Sequence, residues 1–184
     1  MTLNEQILLF QHLETERLIL RPVNLDDVND MFEYMSDPEV AHFVTFDVHK
    51  DVEECRDSVL GYFMANPTGK WAIEDKNVHK MIGTIDMRID EATKSAEIGY
   101  VLNRSFWGGG IMPEAVRELL RVGFDELGLN RIFATYNAKN TKSGRVMQKI
   151  GMQKEGVLRQ GAVIKGELID KVYYSILKSE YHSS

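Results

Sequence analysis

Apolar residues along this chain follow two spacings, every second residue and every third to fourth, and the change from one to the other marks its elements. "ETERLILRPV" alternates and predicts a first strand, ended by Pro22. In "NLDDVNDMFEYMSDPEV", Val28, Met31, Phe32 and Met35 recur at i, i+3, i+4 and i+7, which predicts an amphipathic helix. Asp26 and Asp27 at its start suit the positive end of the helix dipole. A second helix is expected over about 50–65, with Val52, Cys55, Val59, Leu60 and Phe63 on one face and the turn signal "NPTG" after it.

"KWAIED", "KMIGTIDMRID" and "SAEIGYVLN" then read as three successive strands of an antiparallel meander, joined by the polar turns "KNVH" and "EATK". "PEAVRELLRVGFDELGL" predicts a helix whose buried stripe is Val116, Leu119, Leu120, Gly123, Phe124 and Leu127, with Gly128 as its stop. "NRIFATYN" is a strand, and "NTKSGRVMQKIG" a short helix ending at Gly151. "MQKEGVLRQGAVIKGELIDKVYYSILK" closes the pattern as a hairpin of two long strands around "KGE". The order is β, α, α, three strands, α, β, α, two strands. That mixture indicates an α+β layer fold with a mixed sheet rather than a repeating βαβ unit.

Composition narrows the class. With 184 residues, 43% hydrophobic and 27% charged, the chain has the balance of an ordinary globular protein and the length for one core. Its apolar runs fall short of the roughly 20 residues a membrane span needs, and the N-terminal patch lacks the marks of a signal peptide. A net charge of -6 argues against a nucleic-acid binder while favouring the approach of a cationic partner. The lone Cys55 can form no intrachain disulfide, which favours a reducing compartment such as the cytoplasm, and its place on an apolar helix face reads as core. His12, His42, His49, His79 and His182 are scattered without HExxH or CxxC partners, so no metal site is expected.

"FWGGGIMPEA" stands out, because glycine weakens any regular element by about 1 kcal/mol per residue relative to alanine in a helix. Gly108, Gly109 and Gly110 could be a tight strand-to-helix connection. A dinucleotide fingerprint fits poorly, since Pro113 holds the sixth position from Gly108 and the upstream strands look like hairpins. A Walker loop lacks its Gly-Lys-Ser/Thr end. The remaining reading is a phosphate cradle of another kind, in which successive amides ahead of a helix point at an anion. Pro113 is compatible with it, because the first helical turn holds amides without intrahelical partners.

At these residues the sequence resembles the GNAT superfamily of acetyl-CoA-dependent N-acetyltransferases, and more narrowly its ribosomal-protein N-terminal acetyltransferase (RimJ/RimL-like) branch. The likeness covers nearly the whole chain, taken as a single domain over 1–184. "TERLILRP", "SDPEV", "AEIGYVLNRSFWGGGIMPEAV" and "NAKNTKSGRVMQKIGMQKEGVLR" look like that branch's recurring segments in its order. The resemblance implies a mixed, mostly antiparallel sheet of about six or seven strands flanked by about four helices. The superfamily's pyrophosphate loop reads Q/R-x-x-G-x-G/A. Here Trp107 takes the first position, Gly110 the central glycine and Met112 the last, so two of the three depart from the pattern.

The resemblance further implies that "EIGYVL" splays from "RIFATY" and offers backbone groups of Ile98, Tyr100, Val101 and Leu102 to the pantetheine arm of the cofactor. Trp107, Gly108, Gly109, Gly110, Ile111 and Met112 would hold the diphosphate. Asn140 and Ser143 match the family's N-x-x-S, with the asparagine on the cofactor arm and the serine near its sulfur; Asn140 could equally be a plain helix cap. An independent charge bias agrees: Lys139, Lys142, Arg145, Lys149 and Lys154 lie in a stretch without Asp or Glu, which suits the phosphates of coenzyme A.

Acetyl transfer from a thioester needs a neutral amine, a held carbonyl and a thiolate that can be protonated. An α-amine is roughly 10–15% neutral at pH 7 and lysine about 0.04%, so an α-amine can manage with a weak, water-relayed base. Glu97 is the candidate base, and a partly exposed structural glutamate is the bland alternative. Ser143 is the candidate donor to the departing sulfur, with Tyr136 a substitute. A backbone amide between Ile98 and Val101 would serve the oxyanion. Tyr173 and Tyr174 read as core aromatics that could also line an acceptor groove, and Glu167 and Asp170 carry no assignment. No covalent acetyl-enzyme is expected, because Cys55 is badly placed to act as a nucleophile. The expected activity is direct acetyl transfer to a protein N-terminal amine by a monomer or homodimer. A small-amine acetyltransferase (polyamine, amino acid or aminoglycoside) and a non-catalytic coenzyme-A-binding module are the alternatives.

Overall fold

The computed structural model describes residues 1–181; His182 lies outside the described residues. Its sheet contains β1 (Leu13–Glu14), β2 (Leu18–Arg21), β3 (Lys70–Asp75), β4 (Lys80–Asp90), β5 (Ser95–Leu102), β6 (Arg131–Asn137), β7 (Gln153–Ile164) and β8 (Glu167–Leu177). They lie in the order β1-β2-β3-β4-β5-β6-β8-β7. All neighbours are antiparallel except β5 and β6, which run parallel. The expected meander is β3 to β5, and the expected final hairpin is β7 and β8. Eight strands replace the six or seven anticipated, because the short β1 adds an edge ahead of the predicted first strand.

Four helices of seven residues or more flank the sheet: α2 (Val28–Met35), α4 (Val52–Ser58), α5 (Ile111–Arg121) and α6 (Thr141–Lys149). Single turns α1 (Leu3–Gln6), α3 (Pro38–Ala41) and α7 (Lys178–Tyr181) complete the set, so the described helices number seven against about four expected. α5 and α6 bury Ile111, Val116, Leu119, Phe124 and Met147 against Ile85, Ile98 and Ile132 on one face of the sheet. α2 and α4 bury Met31, Tyr34, Cys55 and Val59 against Ala72 and Met81 on the other. The predicted stripe of α5 is therefore the core-facing one. Gly128 ends that segment in the left-handed region at φ +67°.

α4 and α5 both end in wider turns. After α4 the amide of Ala65 bonds to the carbonyl of Leu60, and after α5 that of Leu127 bonds to Val122, five residues back in each case. The wider turn rotates later side chains out of the 3.6-residue register. Leu60, expected on the buried face with Cys55 and Val59, is instead 44% exposed. Cys55 is fully buried, with its Sγ 3.0 Å from His49 Nδ1, and burial pushes its thiol up to about 11. A thiol held protonated in this way is a core group, not a nucleophile.

Candidate active site

The parallel pairing of β5 with β6 covers three positions, Ser95–Arg131, Ala96–Ile132 and Glu97–Phe133, and stops there. Beyond Glu97 the strands diverge, while β4 stays paired with β5 as far as Leu102. Residues 98–102 therefore keep one side of their ladder and open the other. A cavity of about 550 Å³ lies at this opening, lined by Tyr100, Val101 and Leu102 of β5, by Gly108 and Gly110, and by Ser143 of α6. It continues to Glu39, Val40, Phe43 and Val44, in and after α3.

The glycine run sits between two anchors. Upstream, the Asn103 side chain accepts from the Ser105 amide at 3.0 Å, and the Trp107 indole donates to the Leu102 carbonyl at 2.9 Å. Lys142 Nζ lies 4.0 Å over the Trp107 ring, so the residue at the family's Gln/Arg position ties the loop to β5 and α6. Downstream, α5 starts at Ile111, earlier than the expected Pro113, and Ile111 and Met112 point into the core. Gly108 and Gly110 both carry left-handed backbone, at φ +81° and +76°, conformations that a side chain would strain. Behind the loop, Arg17 Nη1 donates to the Gly109 carbonyl at 2.8 Å, and Arg17 Nε donates to Glu114 Oε2 at 2.6 Å.

Asn140 is the N-cap of α6, its side chain accepting from the Ser143 amide at 3.4 Å. Ser143 Oγ lies 3.0 Å from Tyr100 Oη, and burial pushes the Tyr100 hydroxyl up to about 12. Lys139, Lys142, Arg145 and Lys149 line the cavity; Lys154 stands on β7 and is not among the lining residues. Tyr136 packs on α6 where Gly144 is bare, since a Cβ there would stand 2.6 Å from its hydroxyl. Tyr174 is buried and its hydroxyl accepts from Gln148 at 3.1 Å, a core role, whereas Tyr173 stacks on Phe133. Asp170 accepts from the Gln160 amide at 2.8 Å and so holds the irregular stretch of β7.

Glu97 occupies different surroundings from Ser143. Its neighbours Ala96 and Ile98 belong to the α5 core, so alternation turns Glu97 to the opposite face of the sheet. There it lines a separate cavity of about 800 Å³ with Arg88, Arg131 and Phe133. Its oxygens accept from Thr135 Oγ1 at 3.1 Å and face Arg88 Nη2 at 3.4 Å. Arg88 also pairs with Asp86, whose carboxyl is pushed up by burial against the pull of that guanidinium. Both side chains fill the space over Gly99, where a Cβ would stand 3.0 Å from Arg88 and 3.1 Å from Asp86.

The sequence assigned no role to Arg17, Glu114, Asp86 or the segment from Glu39 to Val44, although Arg17, Glu39 and Glu114 lie within the quoted family segments. Glu114 follows Pro113 in the first turn of α5, and its partner Arg17 lies 97 residues away. Among the described residues there is no group of three or more His, Cys, Asp or Glu placed to hold a metal, and no helix is long and apolar enough to cross a membrane.

A layered sheet split at one seam, with a glycine loop at the split, defines an acyltransferase of the GNAT type. Residues 17–153 match the acetyltransferase (GNAT) domain family, and the chain belongs to that family. It is 39% identical over 173 residues to an uncharacterized N-acetyltransferase, p20, of Bacillus licheniformis, covering 92% of this chain and 97% of that one. A GNAT-family acetyltransferase structure from Bacillus anthracis superposes with a TM-score of 0.83 at 30% identity, over 91% of this chain and 99% of the other. The ribosomal-protein-S5-alanine acetyltransferase of Vibrio fischeri superposes with a TM-score of 0.76 at 25% identity, over 92% and 98%. The protein is thus an acetyl-CoA-dependent N-acetyltransferase.

Proposed function

We propose that this enzyme moves acetyl from acetyl-CoA directly to a protein N-terminal α-amine, in the manner of a ribosomal-protein acetyltransferase. The observation that carries this reading is the cavity where β5 and β6 diverge, which joins the glycine loop on one side to the α3 segment on the other. The cradle suits a diphosphate: Gly108 and Gly110 leave no side chain over it, and the first amides of α5 have no intrahelical acceptor. Trp107 to Met112 hold the diphosphate, and Lys139, Lys142, Arg145 and Lys149 supply positive charge for the phosphates. Ile98, Tyr100, Val101 and Leu102 present the open backbone edge to the pantetheine arm, beside Asn140. Acetyl-CoA supplies the activated acetyl group.

The acceptor amine enters from the α3 side, and its nitrogen attacks the thioester carbon as the carbon–sulfur bond breaks. Glu97 stands at the last paired rung, outside the lining of this cavity, and takes the ammonium proton through a relay of waters. Ser143, on the other face, donates a hydrogen bond to the departing sulfur. Of the residues lining the cavity, Glu39 is the one carboxylate. An acceptor needing little help with deprotonation fits that lining: an α-amine is a few hundredfold more often neutral at pH 7 than a lysine side chain. A polyamine or aminoglycoside, with several ammonium groups, would need more acids there. Likeness in fold to the Vibrio fischeri enzyme supports the same acceptor class. Free, buried Cys55 suits a reducing cytoplasm.

The test is coenzyme A release with a panel of peptides, spermidine, free amino acids and an aminoglycoside. The reading expects the highest kcat/KM on peptides with a free N-terminus and loss of turnover when that N-terminus is blocked. Higher kcat/KM on spermidine or an aminoglycoside would replace the protein acceptor with a small amine. Tight acetyl-CoA binding with no turnover on any amine would make the chain a binding module.

A further inference from the structure

Arg17 is not among the residues lining the cavity, yet its side chain reaches the glycine loop from behind. Its backbone amide donates to Glu114 Oε1 at 2.8 Å and its Nε to Glu114 Oε2 at 2.6 Å. Thr15 Oγ1 donates to the same Oε1 at 2.5 Å. The Glu114 carboxylate is thereby gripped from three directions by the stretch just before β2. Arg17 then spends a further donor, Nη1, on the carbonyl of Gly109 at 2.8 Å.

The geometry points to Arg17, held by Glu114, as a positioning residue for diphosphate binding, acting through the Gly109 peptide. Two physical consequences carry this. In a trans peptide the C=O and the following N–H point in opposite directions. With the Gly109 oxygen drawn back to Arg17, the Gly110 amide is aimed away from Arg17, toward the cavity that Gly110 lines and Gly109 does not. The peptide joins two glycines, Gly109 and the left-handed Gly110, which without the brace would let it rotate. The brace therefore fixes the orientation of the Gly110 amide.

The second consequence is electrostatic. Glu114 stands in the first turn of α5, where a carboxylate is favourable for the helix but repels an anion docking at the same end. The guanidinium cancels that charge at contact distance, so the helix keeps its acid and the loop still receives an anion. Arg17 is thus both the strut and the neutralising charge. A lysine could cancel the charge but has no planar fork to hold carboxylate and carbonyl together.

This inference rests on the reading of the loop as the diphosphate site, and the experiment separates the two. Turnover is compared for acetyl-CoA and for acetyl-pantetheine, which carries the same thioester without phosphates, in the wild type, R17M, R17K, E114Q and R17M/E114Q. The wild type is expected to prefer acetyl-CoA in kcat/KM by at least a hundredfold. R17M is expected to cut that preference about tenfold, chiefly through KM, with R17K intermediate. R17M/E114Q is expected to regain part of it, because the exposed acid is removed. A wild type with no preference for acetyl-CoA would overturn the diphosphate reading itself. A wild type with the preference and an R17M that retains it in full would overturn only the role of Arg17. Should R17M fail to fold, R17K decides, since a lysine lacks the fork that holds carboxylate and carbonyl together and must lower the preference; an unchanged preference in R17K overturns the proposal.

Discussion

The hydroxyl of Tyr100 stands 3.0 Å from Ser143 Oγ and 3.2 Å from the Ser143 carbonyl oxygen, so one side chain ties β5 to α6 across the opening in the sheet. Backbone was the only role the sequence offered for Tyr100. Its side chain sets the orientation of the hydroxyl proposed to meet the sulfur. Tyr100→Phe keeps the packing and removes the tie, a bond worth about 0.5–1.5 kcal/mol. The expected result is a kcat lowered about two- to tenfold at saturating acetyl-CoA, with a smaller change in the KM of the amine. Steady-state kinetics with both substrates varied reads the split. Ser143→Ala should lower kcat at least as far.

Gly110→Ala tests the cradle directly. The left-handed backbone at this position costs a residue with a Cβ about 1–2 kcal/mol, and relief of that strain moves the loop amides. KM for acetyl-CoA is expected to rise several-fold while kcat changes little. Gly156→Ala in β7, where nothing lies within 4 Å of the added methyl and φ is not left-handed, is the control for a glycine replaced elsewhere. Equal KM values in the two variants would count against the cradle.

Stability should hinge on Arg21. It pairs with Asp27 at 2.7 Å and with Glu74 at 2.6 Å, and Asp27 is 2% exposed. Arg21→Met strands a buried carboxylate, a change of about 3–5 kcal/mol when one partner of such a pair is removed. Urea denaturation should show a correspondingly lower midpoint. Arg21→Met combined with Asp27→Asn should recover part of the loss, because the unpaired charge is gone.

Acid should loosen the loop before it unfolds the core. Burial would raise the Glu114 carboxyl, but the bonds from Thr15 and Arg17 outweigh it and hold the group below its ordinary 4.5. A depressed folded value means that the ionised carboxylate stabilises the fold above pH 4.5, and that this contribution is lost as pH falls through the lower, folded value. Glu155, lowered by bonds from Arg131 and Ser175, acts in the same direction. The melting temperature is therefore expected to fall with pH below about 4.5 in the wild type, and to fall less steeply in Glu114→Gln. Parallel profiles for the two would sink this assignment.

Regular elements were legible because each is carried by local spacing. The limits of β3 and β4, the stripe of α5 and the stops at Gly128 and Gly151 follow from neighbours within a few residues. Leu60 was misplaced because its apolar character put it in the stripe, although it stands about 100° around the helix from the buried Val59. In the site, the glycine run and the basic stretch were visible as composition. Arg17 and Glu114 were not, since each is an ordinary surface type until the fold brings residues 97 apart into contact. Glu97 and Ser143 were both picked out, yet strand alternation, and not any motif, decides that they stand on opposite faces.

Three residue pairs join five strands on one side of the seam to three on the other. Toward Leu102 the two halves are held together by side chains alone, the Tyr100 hydroxyl on Ser143 and the core beneath it. Spreading the throat would break backbone bonds, whereas spreading the mouth would break only side-chain contacts.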